Sequence, residues 1–179
     1  MANFLKAYLR TSVYEGGYAF ISGDRGGETY MGIARNFHPY WSGWGVIDKI
    51  KRERKIRYNE IINYIPLNEM VKEFYYKTFW INISGNNIYS QIIAEFIYDY
   101  SVHSGFKKAI SALQIILGFD KKDIDGRICP KTLTALNSFP ERYVLESLKK
   151  ERLNFLINLS KKPGQAKFRQ GWVNRVNSF

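Results

Sequence analysis

The sequence predicts a mainly α-helical protein of roughly eight helices with a small β-hairpin or sheet near its amino end. Three observations carry that expectation. Apolar residues recur at helical spacing along most of the chain. Glycines and prolines punctuate these runs at about helix-length intervals. Only residues 18–36 combine crowded glycines with short β-leaning pieces, YAFIS and ETYMGI. At 179 residues the chain is long enough to bury a proper core, as one domain or two small ones.

Phe4, Leu5, Tyr8, Leu9 and Val13 repeat at helical spacing and predict a first helix over 3–15, ended by Gly16-Gly17. Gly23, Gly26, Gly27 and Gly32 then suit a hairpin or irregular sheet better than a helix. Pro39 to Asp48, PYWSGWGVID, reads as a loop. The stretch IDKIKRERKIRYNEIINYI, with Ile47, Ile50, Ile56, Ile61 and Ile62 as its apolar positions, reads as one or two helices with a basic outer face. Pro66 can occupy the first turn of another helix, through about Trp80.

After the ISGNN turn, Ile88 to Val102 is the most apolar segment and a candidate central helix. Phe106 to Leu117 forms the next, closed by Gly118. Asp125-Gly126 is a turn, and Pro130 opens a short helix to Asn137. A long helix is expected from about Glu141 to Lys161, broken by Pro163-Gly164 before a last one carrying FRQGWVNRV. The slackest seam, Gly85 to Asn87, divides 1–86 from 87–179, two regions expected to pack as one compact unit.

The net charge of +11 points to a polyanionic partner, whether nucleic acid, anionic cell-wall polymer or a membrane surface. With 13 Tyr, 12 Phe and 4 Trp, aromatics reach 16%, enough to fill a core and to line a groove for sugars or bases. One cysteine, Cys129, excludes an internal disulfide, and with His38 and His103 as the only histidines a Cys/His zinc site is not expected. No cofactor or metal is anticipated. MANFLKAYLRTSVYEGG lacks the roughly 7–15-residue apolar core of a signal peptide, and no run approaches the ~18–20 apolar residues of a membrane span. The expectation is synthesis in the cytoplasm, with holin-like or lysis-linked release if the target lies outside.

The segment YEGGYAFISGDRGGETYMGIA, Tyr14 to Ala34, carries the chemistry. Glu15 is placed where a helix ends, among unsatisfied carbonyls equivalent to about half a negative charge. Tyr14 and Tyr18 would desolvate it further. Both effects favour the protonated carboxyl, so a raised pKa is expected, as a general acid near neutral pH requires. Asp24 follows in a polar glycine-rich turn where it should stay ionised, and the Thr29 hydroxyl could position a water. Two carboxyls in contrasting surroundings suit glycoside hydrolysis, with Gly26 and Gly27 letting the backbone approach a bulky sugar chain. A tight turn at Asp24 and a solvated helix-end Glu15 form the competing reading.

Elsewhere, Trp41 and Trp44 either stack on sugar faces or pin their loop to the core. Asp99, on a very apolar helix, is either a structural hydrogen-bonding group or a pocket lining, and the structural role is favoured. Trp172 and Arg175 read as a packing corner and a surface cation. Lys49 to Arg57 reads as a solvated face that also favours anionic wall polymer.

The joint pattern of Glu15-Gly-Gly-Tyr18, Asp24, Gly26-Gly27, Thr29 and Gly32-Ile33 resembles glycoside hydrolase family 108, which includes N-acetylmuramidases, secretion-activator proteins and phage-like endolysins. The spacing also resembles the Glu–Asp–Thr arrangement of phage-type lysozymes, shorter by one residue between Asp and Thr. IYDYSVHSGFKKAISALQ, DIDGRICPKTLTALN and KFRQGWVNRV are similar to the predicted peptidoglycan-binding region that accompanies these enzymes. The resemblance implies a lysozyme-like α+β architecture, with 1–86 catalytic and 87–179 peptidoglycan-binding.

It also implies a peptidoglycan hydrolase; the chain is expected to be a monomer without a specific nucleic-acid partner. Glu15 matches the family's catalytic glutamate, and Asp24 and Thr29 match by the lysozyme analogy. Tyr18, Gly26, Gly27, Tyr30, Trp41, Trp44, Asp99 and His103 are the expected substrate contacts. Family members commonly carry Asn at the position of His103 and Gly at that of Cys129, here expected to be a small packed residue. A lytic transglycosylase, or a non-catalytic module binding cell wall or nucleic acid, is the alternative.

Overall fold

The computed structural model describes residues 1–21 and 23–179; the YAFIS piece runs onto Ser22, which lies outside the described residues. The described residues form eight α-helices and one three-stranded sheet near the amino end, the mainly α class expected. They divide into two compact units, Tyr8–Thr78 and Met1–Ala7 with Phe79–Phe179. None of the described helices is long and apolar enough to cross a membrane.

In the unit of residues 8–78, helix α1 (Phe4–Ser12) contributes buried Tyr8 and Thr11. It stops short of the expected residue 15. Nor do Gly16-Gly17 act as a left-handed cap, since neither has a positive φ. Their reason is non-local. A Cβ on Gly17 would lie 2.6 Å from the Asn59 carbonyl oxygen, whereas the bare glycine brings its N–H to Asn59 Oδ1 at 2.8 Å.

Strands β1 (Tyr18–Phe20), β2 (Glu28–Tyr30) and β3 (Ile33–Ala34) follow, antiparallel in that order, with Tyr18 opposite Tyr30 and Thr29 opposite Ala34. Tyr18 also bridges Glu60 on the side away from β2. Met31 and Gly32 turn β2 into β3 with φ of 47° and 76°, the positive values a two-residue hairpin loop requires.

Helix α2 (Gly43–Glu53) begins inside the segment expected to be a loop. Gly43 accommodates the Trp41 indole, which a Cβ there would strike, and Trp44 and Ile47 are buried along the helix. The helix also ends before the expected basic helix is complete. Arg54 is extended, and its guanidinium grips the Glu60 carboxylate at 2.6 and 3.2 Å while Glu60 accepts the Arg57 N–H at 2.9 Å. These bonds and the bridge to Tyr18 hold residues 54–62 out of the helix their isoleucine spacing suggests. Helix α3 (Ile65–Tyr75) buries Leu67, Val71 and Tyr75 at successive i,i+4 positions and passes into a π-helical turn, Tyr76–Trp80.

In the other unit, the Ser90 hydroxyl caps α4 (Gln91–Ser104) by accepting the Ile93 N–H at 3.2 Å. Residues 93–101 are all buried, so α4 is the central helix expected. Around it stand α5 (Phe106–Ile116), α6 (Pro130–Ser138), α7 (Glu141–Ser160) and α8 (Arg169–Asn177). Two positions differ from expectation. Arg175 is not a surface cation but 8% exposed, and Cys129 is exposed rather than packed. The Cys129 sulfur stands 3.4 Å from Thr132 Oγ1 at the start of α6, a contact that draws its thiol pKa below the ordinary value.

Candidate active site around Glu15

Glu15 sits just beyond the last helical residue of α1, half-buried, with its backbone N–H donating to the Ser12 carbonyl at 3.1 Å. Its side chain reaches the β2–β3 turn. A Cβ built on Gly32 would strike Glu15 Oε2 and stand 2.6 Å from Tyr75 Oη. Carboxylate and phenol therefore crowd one point over a bare glycine. Tyr75 is fixed there by donating to the Met31 carbonyl at 2.7 Å and by ring contact with Tyr8, centroids 5.8 Å apart. The desolvating neighbours differ from those expected: Tyr14 is 42% exposed, and the Tyr18 hydroxyl is engaged with Glu28.

Asp24 and Thr29 meet at Gly26. The Asp24 carboxylate is exposed and accepts the Gly26 N–H at 2.8 Å, an Asx-type turn. A Cβ on Gly26 would lie 3.4 Å from Asp24 Oδ1 and 3.7 Å from Thr29 Cγ2. The half-buried Thr29 hydroxyl points to the Ala19 carbonyl at 3.5 Å, across the β1–β2 ladder. Gly27 has φ +67° and lies against the Asn36 side chain.

Strand alternation places Glu28 and Tyr30 on the buried face of β2, opposite to Thr29. Glu28 is the hub of that face, 6% exposed. It accepts from the Tyr18 hydroxyl at 2.6 Å, pairs with Lys51 at 2.6 Å and meets Arg35 Nε at 2.8 Å. Burial and the Glu28 hydrogen bond raise the Tyr18 pKa, and the same carboxylate raises that of Lys51. Arg35 also holds Asp48 at 2.7 and 3.1 Å and lies 4.5 Å from the Trp44 ring.

Several expected substrate contacts are core residues instead. Tyr30 is fully enclosed, its hydroxyl accepting the Ile62 N–H at 3.1 Å. Trp44 is 3% exposed and donates to the His38 carbonyl at 2.8 Å. Trp41 is half-buried between Tyr30, Trp44 and Phe74, and donates to the Met70 carbonyl at 3.4 Å. Of the two alternatives for this pair, pinning the loop is the one their packing supports.

Asp99 and His103 belong to the other unit. Asp99 has no exposed surface and is bound by Arg175 Nε and Nη2 at 2.8–3.1 Å and by Arg152 Nη2 at 2.8 Å. The Arg152 guanidinium lies 5.0 Å from the Tyr100 ring centroid and 5.4 Å from that of Phe96. Burial alone would raise the Asp99 pKa, but hydrogen bonding from Arg175 and the two positive charges bring it below the usual carboxylate value. The triad is a structural centre. His103 is half-buried beside Trp172, centroids 6.0 Å apart, and burial together with Arg152 and Arg175 lowers its pKa to about 4.

Sequence reasoning missed Glu28 and Tyr75. For Glu28 a signal existed: ETY alternation puts a carboxylate on the inward face, where it must be paired. Tyr75 reads only as a core position, although a buried phenol needs a partner for its hydroxyl.

No curated protein matches the chain. Solved structures do match, among them the structure of Brucella abortus SagA, which is 25% identical with a TM-score of 0.68, over 98% of this chain and 90% of that one. Residues 108–177 match a family model described as a predicted peptidoglycan domain. The model of glycosyl hydrolase 108 matches residues 9–105 of 179 and so contains Glu15, its Gly32–Tyr75 surround and the Asp24–Thr29 turn. A match over more than half the chain places it: the protein belongs to the glycosyl hydrolase 108 family, and is a glycoside hydrolase with a peptidoglycan-related role.

Proposed function

We propose that the protein is an N-acetylmuramidase that cuts the glycan strand of peptidoglycan, with Glu15 as general acid. The observation that carries this reading is the half-buried Glu15 carboxyl, brought over Gly32 beside the Tyr75 hydroxyl. Partial burial favours a protonated carboxyl. In that form Glu15 donates its proton to the bridging glycosidic oxygen as the C–O bond breaks, and the departing sugar leaves as a neutral alcohol.

Asp24, exposed in its turn, faces the cationic transition state or the incoming water, and Thr29 orients that water. Water then adds to the anomeric carbon, its surplus proton passing to the Asp24 carboxylate or back to that of Glu15, and yields a reducing muramic acid end. The enzyme reaches the wall by secretion- or lysis-linked release. Digestion of purified sacculi followed by mass spectrometry tests the reaction. Hydrolysis gives reducing N-acetylmuramic acid termini; 1,6-anhydro termini, lighter by one water, would assign a lytic transglycosylase instead.

A further inference from the structure

A cleft of 560 Å³ opens in the unit that carries Glu15, between the end of β1 and the chain that leaves α2. Its volume lies within the roughly 300–1,000 Å³ of small-ligand sites. The Tyr18 ring lines it, and Phe20 and Tyr58 line it with rings that are 68% and 74% exposed. Two exposed aromatic rings facing one cavity are unusual unless something covers them.

The polar lining is cationic: Lys51, Arg54 and Lys55. Lys51 is held in place by buried Glu28 at 2.6 Å, and Arg54 by Glu60 at 2.6 and 3.2 Å. An ammonium has three donors and a guanidinium five, so both keep donors to spare. Among the described residues no carboxylate pairs with the Lys55 ammonium. Segment 49–57 carries six cations against the single carboxylate of Glu53, a surplus that survives the charges of Glu28 and Glu60.

We propose that this cleft binds the stem peptide of peptidoglycan, its cations taking the peptide's carboxylates and its exposed rings covering the alanine methyls. The assignment rests on peptidoglycan being the substrate. Within that polymer the glycan strand is close to uncharged and the stem peptides carry the free carboxylates, so a site rich in cations is complementary to the peptide. The mixture of charge and aromatic surface favours a short amphiphilic anion over a bare polyanion.

Equilibrium binding tests the proposal, read by cosedimentation for insoluble sacculi and by calorimetric titration for soluble partners, with the Glu15→Gln chain as host so that the polymer is not consumed. Three partners are compared: intact sacculi; stripped sacculi, meaning the soluble glycan strands left when an amidase removes the stem peptides and frees one lactyl carboxylate per muramic acid; and a single-stranded oligonucleotide. Adding Lys55→Glu and Tyr58→Ser, both on exposed side chains, is expected to weaken binding to intact sacculi at least tenfold and to leave binding to stripped sacculi within twofold. Lys55→Arg is expected to restore the affinity lost by Lys55→Glu. An equal loss on stripped sacculi, an equal loss on the oligonucleotide, or no loss on intact sacculi would each overturn the assignment. Because binding is read without catalysis, failure here is distinguishable from failure of the muramidase reading, which the digestion products report.

Discussion

The carboxylate of Glu15 and the hydroxyl of Tyr75 converge over the bare backbone of Gly32. The Met31 carbonyl fixes the phenol at 2.7 Å, and the hairpin turn that presents this carbonyl also creates the space Glu15 fills. A methyl group on Gly32 is therefore expected to displace the carboxylate while the rest of the unit folds. Gly32→Ala should lower release of reducing ends from sacculi by about 100-fold, the scale of a 1 Å misplacement. It should also cost stability of the order of 1 kcal/mol for a non-glycine residue at φ +76°. Tyr75→Phe keeps the packing and removes one hydroxyl, so a milder loss of roughly five- to tenfold is expected. Steady-state assays beside thermal melts of both variants check the pair.

The Asp99 triad makes a prediction about stability. Two arginines surround one carboxylate that has no exposed surface. Removing the carboxylate takes from two buried cations the anion they share, and breaking a buried pair typically costs about 3–5 kcal/mol. Denaturant unfolding of Asp99→Ala is expected to show a loss of this size. A loss below ~1 kcal/mol would mean that the arginines find other partners.

His103 makes a prediction about pH. Its folded pKa of about 4 lies below the unfolded value of ~6.5. Between these values the unfolded chain binds a proton that the folded chain refuses, so stability rises with pH across this window. The contribution is full above ~6.5 and is lost progressively as pH falls toward 4. Asp99 adds a separate loss at lower pH, because its depressed carboxyl stabilises the fold above the unfolded pKa and fails as pH drops through the folded one. His103→Asn, which removes the first titration alone, is expected to flatten the fall in Tm between pH 7 and pH 4.5. Parallel Tm–pH curves for variant and wild type would exclude His103 as the source.

How far the fold was legible depended on where its determinants lie. Pro130, Pro140 and Gly105 act on their own neighbours, so α5, α6 and α7 follow their sequence patterns to within a residue or two. The basic run after Glu53 does not, because Arg54 and Tyr18 both engage Glu60, and those pairings outweigh an isoleucine spacing that suits a helix. Gly43 misled for a related reason: its partner is the indole of Trp41, not a loop. At the candidate site, the glycines after Glu15 advertised an unusual backbone, but their purpose is to admit residues 59–60. Glu28 gathers Tyr18, Arg35 and Lys51 from three separate segments, and Tyr75 comes to Glu15 from α3; neither meeting is encoded in local spacing.

The central claim is that the Glu15 carboxyl supplies the proton that breaks the glycosidic bond. Comparing wild type with Glu15→Gln on purified sacculi, at equal folded concentration, tests it most directly. The amide fills the same space over Gly32 and has no proton to give, so release of reducing ends is expected to fall by at least a thousandfold while Tm stays within a few degrees. Retention of a tenth or more of the wild-type rate would contradict the account and take Glu15 out of the reaction.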